Sequence, residues 1–221
     1  MKRLSEINEG VFRNSIIRTS GTGTKRRESS VEYNAVDLGL PSGTLWADRN
    51  VGAMNPEEYG GYYQWGCKED MTNKKCNPEE YPFKIKNDLP PLFSKYNTND
   101  KMETLDLSDD IANSEMGGDW HIPTRKDFSE LIVNTEGNLT KVNGTLGMLL
   151  KSTKNGNTIF FPAAGYKEGD EIKNKETTPN LWSSTRDYDN CGYALSFSNG
   201  YIYVLYRHYG ASVRGVKKAT K

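Results

Sequence analysis

No run of apolar residues in this 221-residue chain approaches the length of a membrane-spanning helix, about eighteen residues or more. Net charge is absent as well: 29 Lys and Arg balance 29 Asp and Glu. That excludes nucleic-acid binding driven by global charge. Cysteine is scarce. Cys67, Cys76 and Cys191 allow one pair at most and no disulfide framework. Cys67 and Cys76 have no histidine nearby, which argues against a zinc site. Histidine is scarcer still, with His121 and His208 alone. His121 sits between Trp120 and Ile122 and reads as a packed framework residue. No H-E-x-x-H, C-x-x-C or phosphate-loop spacing occurs, and GTGTK at 21–25 lacks both the spacing and a preceding strand. The acid pairs in EEY (57–59) and EGDE (168–171) lie in polar loops and read as solvated rather than as a glycosidase pair. The basic start, MKRLSEINEG, is followed by no apolar stretch, so no secretory signal is expected. We assign no catalytic residue, metal site or cofactor, and the chain reads as a non-enzyme.

Enough apolar material is present for a core: 35% of residues, plus 21 glycines. Charge is unevenly placed. Residues 1–30 hold seven basic and three acidic side chains, and 214–221 hold four basic and no acidic ones. Leu4, Ile7, Val11 and Ile16, with Phe12 beside them, give a weak helical spacing, and Ser5 is a plausible cap. TSGTGTKRRESS (19–30) has no periodicity and reads as a linker. The division expected is an N-terminal attachment peptide and linker over 1–30 and a single domain over 31–221.

Within that domain, AVDLGLPSGTLWADRNVGA (35–53) and YGGYYQWG (59–66) read as short strands between tight turns. Residues 67–118 are polar and carry Pro78, Pro82, Pro90 and Pro91, which suggests an insertion or functional loop. Thr124 predicts a helix N-cap with Asp127 completing a capping box, and Phe128, Leu131 and Ile132 give the helix one apolar face. TIFFPAAGY (158–166) predicts a buried strand ended by Pro162. Asn199-Gly200 predicts a hairpin turn between YALSFS (193–198) and YIYVLY (201–206). VRGV (213–216) closes the sheet. The fold class expected is α+β, with short strands, one or two helices and long irregular loops.

The last region has an unusual composition. Residues 186–209 hold six of the thirteen tyrosines, and Tyr, Ser, Gly and Asn fill twelve of its 24 positions. Tyrosine gives wide, rigid, amphipathic contact area, and the small polar residues adapt their hydrogen bonds. Strict alternation places Tyr193, Leu195, Phe197, Ile202 and Val204 on one face. Ala194, Ser196, Tyr201, Tyr203 and Leu205 fall on the other. With the aliphatics inward, the second face is an exposed aromatic patch of the kind that marks an interaction site. Lys, Glu, Gln, Met and Trp make up 46 of the 221 residues, yet none falls between Ser183 and Val216. Codons ending in a pyrimidine cannot encode any of the five, so randomised AAC or AAT codons would leave this gap.

VDLGLPSGTLWADRNVGA, YGGYYQWG, WHIPTRKDF, IFFPAAGY, LWSST and SVRGV occur in that order. As a set they resemble the Fibrobacter-type major paralogous domain of gut Bacteroidetes and their phages, over about residues 35–216. The resemblance implies a C-type-lectin-like fold, similar to that of formylglycine-generating enzymes. The C-terminal pattern further resembles the variable proteins of diversity-generating retroelements, including phage tail receptor binders. By that resemblance Trp182, Ser183, Ser184 and Val213 are framework, inside a variable region at about 182–214. Diversified ligand-binding positions would include Asp187, Tyr188, Asn190, Cys191, Tyr201, Tyr203, Tyr206 and His208. Asp189, Ala194, Ser196, Leu205 and Tyr209 complete the candidate set. The chain lacks the E-P-N, Q-P-D and W-N-D motifs of calcium-dependent sugar binding and the C-terminal cysteine pair of formylglycine-generating enzymes.

The function implied is a receptor-binding display protein of a phage tail, made in the bacterial cytoplasm and built into the virion. Its partners would be a host-cell surface protein or glycan, other tail proteins held through residues 1–30, and further copies of itself, a trimer by analogy. Nucleic acid and membrane insertion are not expected. Three alternatives stand beside it: a bacterial cell-surface adhesin of the same fold, an enzyme of the formylglycine-generating or sulfoxide-synthase type, and a structural virion or pilus subunit with no specific ligand.

Overall fold

The computed structural model describes residues 32–85, 93–187 and 193–219. The helix and linker expected over 1–30 lie outside these residues. In chain order the strands begin with β1 (Ala35–Asp37), β2 (Thr44–Asn50) and β3 (Tyr63–Gln64). Helices α1 (Ile111–Met116) and α2 (Arg125–Val133) follow. Next come β4 (Thr135–Val142), β5 (Thr145–Ser152), β6 (Thr158–Pro162), β7 (Tyr166–Glu168) and β8 (Glu171–Lys173). The chain ends with β9 (Leu181–Arg186), β10 (Tyr193–Ser198), β11 (Tyr201–Tyr206), β12 (Gly210–Ala211) and β13 (Arg214–Lys218). The described strands form four small antiparallel sheets, ordered β1-β2-β13, β11-β10-β9, β3-β12-β7-β8 and β4-β5-β6. Small antiparallel sheets with few helices agree with the expected class.

Helix α2 starts as its sequence dictates. Asp127 N–H donates to the Thr124 hydroxyl, and Thr124 N–H donates back to the Asp127 carboxylate. Such caps are worth about 1 kcal/mol. Phe128 and Leu131 are buried, and Phe128 stacks on Phe197 of β10 at 5.1 Å. The helix therefore backs the C-terminal hairpin directly.

Several elements are absent from the sequence reading, among them the β7–β8 hairpin, which falls where EGDE (168–171) reads as a loop. The β4–β5 hairpin turns at Asn143-Gly144, both at positive φ, the two-residue turn that Asn-Gly favours. The same signal is visible at Asn199-Gly200, which turns as expected. The described residues of 67–118 form a folded extension rather than a bare insertion. Cys67, Tyr81 and Phe93 form a small apolar cluster, and Tyr96, Leu105, Ile111 and Ala112 belong to a main core with Trp65 and Trp182. Its elements are too short for any hydrophobic period to show. Among them, α1 is capped by the Asp110 carboxylate, which accepts from Asn113 N–H.

Among the described residues, Arg207 and Arg214 are fully buried. Arg214 donates to Asn50 Oδ1 and to the carbonyls of Ala47 and Phe160, each at 2.9 Å, with its guanidinium over the Phe161 ring. Burial pulls its pKa down to about 9, so it stays charged at neutral pH. Arg207 lies against Trp65 and Phe93 and donates to the Tyr96 carbonyl.

Candidate ligand-binding face

The hairpin β10–β11 pairs in register, with Phe197 opposite Ile202, Ser196 opposite Tyr203 and Ala194 opposite Leu205. At the turn end, Phe197 is fully buried and Ile202 packs against the same cluster, while Tyr201 on the other face is 76% exposed. The alternation expected from sequence holds to this point.

It fails between Tyr203 and Leu205. Leu205 is only 7% exposed and sits in the cluster around Trp65 and Trp182. Val204, expected inside, is 40% exposed. Leu205 is thus not available to a ligand, and the outward face switches sides along β11. The pairing of β10 with β9 is irregular beside this point. Ala194 faces Arg186 but Ser196 faces Trp182, so β9 carries extra residues at this point. Such a bulge sharpens the local twist. The hairpin leaves one core cluster and enters the other.

Surface residues therefore come from both faces. Tyr201 and Tyr203 belong to one, Val204 and Tyr206 to the other. Tyr203 is held by its hydroxyl, which donates to Asn180 Oδ1. Tyr206, His208 and Tyr209 gather at the end of β11, with ring centroids 4.9–5.4 Å apart. Tyr209 stacks on Tyr166 and donates its hydroxyl to Glu168 Oε1 at 2.7 Å. Burial and this carboxylate raise the Tyr209 pKa. His208 is half-buried, and burial lowers its pKa.

Asp187 is half-buried at the end of β9, where its carbonyl accepts from Arg186. Ala194 and Ser196 hold the register positions given above. Tyr188, Asp189, Asn190 and Cys191 lie outside the described residues. The structure therefore brings Tyr206, His208 and Tyr209 together, while Leu205 is buried in the core cluster against which Tyr209 packs. Trp182, Ser183, Ser184 and Val213 are all buried.

The remaining chemistry is quiet. Burial pushes the Cys67 thiol up to about 12 and the Cys76 thiol up to about 11, and both are free. His121 has Nδ1 at 3.0 Å from the Asp119 carbonyl and its backbone paired with Val216. Glu58 binds the N–H of Met54 in its own loop. Among the described residues no group of three or more His, Cys, Asp and Glu is placed to hold a metal ion. Nor is any described helix long and apolar enough to cross a membrane. Comparison with protein-family models, curated proteins and solved structures returns no match for the chain.

Proposed function

We propose that this protein is a non-catalytic display protein that binds a receptor through the β10–β11 hairpin, on a C-type-lectin-like scaffold. One observation carries the reading. Tyr201, Tyr203, Val204 and Tyr206 are exposed on a six-residue strand whose flanking framework is buried. Tyrosine at such a density on a surface is costly in solubility unless a partner covers it. Rigid aromatic anchors among Ser, Gly and Asn are the composition of adaptable binding surfaces.

The absence of Lys, Glu, Gln, Met and Trp from 183–216 supports diversification of this stretch. A phage tail is the setting that the motif resemblance favours, with residues 1–30 as the attachment to other tail proteins. Several copies on one particle would raise a modest single-site affinity through avidity.

The test is a scan of all substitutions over 186–209 on displayed protein, scored separately for folding and for binding to intact bacterial cells. Positions 201, 203 and 206 should tolerate substitution for folding and change binding. Intolerance for folding at all three would remove the basis of the proposal.

A further inference from the structure

Away from the hairpin turn, Gln64 of β3, residues between 66 and 83, and Ser108 and Asp109 line a cleft of about 540 Å³. This lies within the size range of small-molecule sites. Its lining is divided. Cys67, Met71 and Phe83 give an apolar floor, and charged and polar side chains form the rim. The floor is fixed in place. Phe83 packs edge-on against Tyr81 and Tyr96, and the Tyr81 hydroxyl donates to the Trp65 carbonyl at 2.7 Å. Gly66 sits at φ +75°, where a Cβ would come within 2.7 Å of the Phe83 ring, so only glycine lets that ring lie there.

The rim charges differ in their commitments. Glu69 pairs with Lys74, Lys75 with Asp170, and Asp109 with Lys95. Asp109 also accepts the Tyr96 hydroxyl. Lys68 and Glu80 line the same cleft, are exposed, and make no ion pair among the described residues. Among the described residues the cleft thus offers one cation and one anion outside any ion pair, above an apolar floor.

We propose that this cleft binds a free amino acid with an apolar side chain, its carboxylate on Lys68, its ammonium on Glu80 and its side chain on the Phe83 floor. A zwitterion satisfies both charges at once without unbalancing a rim whose other charges are already paired. The cleft does not include Tyr201, Tyr203, Val204 or Tyr206, and the proposal does not depend on the hairpin's role.

The experiment is equilibrium dialysis of the full chain with L-phenylalanine and, separately, with N-acetyl-L-phenylalanine amide, which keeps the ring and loses both charges. Saturable binding of L-phenylalanine is expected, with the blocked analogue at least about tenfold weaker. Lys68→Ala and Glu80→Ala, both at exposed positions, should each weaken L-phenylalanine binding about tenfold with unchanged melting temperatures. Ser108→Trp, on the exposed rim, should abolish binding by filling the cleft. Tyr201→Ala should leave it intact, which separates this site from the display face. No saturable binding, equal binding of the two probes, or indifference to both charge deletions would overturn the assignment.

Discussion

Trp65 and Trp182 clasp each other's strands. The Trp65 indole N–H donates to the Ser183 carbonyl at 2.8 Å, and the Trp182 indole N–H donates to the Tyr63 carbonyl at 2.6 Å. Both rings are fully buried. The two bonds fasten the β3 segment to β9, the strand that backs the hairpin. The frame under the tyrosines is therefore held by groups that no surface substitution touches.

Trp182→Phe should expose the weight of this clasp. The ring remains and the donor is lost, leaving the Tyr63 carbonyl buried without its partner. Such a group costs about 1–3 kcal/mol, before any contribution from the smaller ring. Urea denaturation should show a fall of that size with an unchanged slope. A stability within about 0.5 kcal/mol of the parent would mean that the clasp contributes little.

Along β11 the two neighbours Val204 and Leu205 should respond in opposite ways. Leu205→Ala empties a core position and should cost about 2–5 kcal/mol. Val204→Asn, at an exposed position, should stay within about 0.5 kcal/mol. The reverse order in chemical denaturation would restore strict alternation and refute the switch of faces.

His208 gives the fold a pH dependence of known sign. Burial lowers its folded pKa below the usual value; nearby Glu168 opposes the shift, Lys84 adds to it and Glu79 opposes it. The unfolded chain then takes up the proton first as pH falls. The stability from neutral His208 is full above about pH 6.5, the unfolded value, and is lost as pH drops below it. Melting temperatures taken from pH 7.5 down to 5 should fall more steeply for the parent than for His208→Gln. Parallel curves would assign the pH dependence elsewhere.

Sequence legibility followed the length of the signal. Helix α2 was readable because Thr124, Asp127, Phe128 and Leu131 state its cap and its buried face within eight residues. The hairpin was readable from Asn199-Gly200 and a period of two. The turn at Asn143-Gly144 carried the same signal without the strong alternation beside it, since β4 is mostly exposed. Cys67, Tyr81 and Phe93 meet only in three dimensions, so their cluster left no local pattern. Leu205 was misplaced because a period of two says which residues share a face, not which face the core covers. The β10–β11 ladder is in register throughout, but one core cluster meets it at Phe197 and Ile202 and another at Leu205. Buried arginine at 207 and 214 runs against the usual rule that charges stay outside, and nothing local announces its carbonyl partners.

The most direct test of the display reading compares the parent with the double variant Tyr201→Ala, Tyr206→Ala. Fluorescently labelled protein would be titrated onto a panel of intact Bacteroidetes strains and read by flow cytometry, with melting temperatures measured in parallel. The account predicts saturable binding of the parent to at least one strain, and a loss of about thirtyfold or more in the variant. The melting temperature should stay within a few degrees, because both rings stand outside the core. Undiminished binding by the variant, a loss accompanied by unfolding, or no saturable binding by the parent to any strain would contradict it.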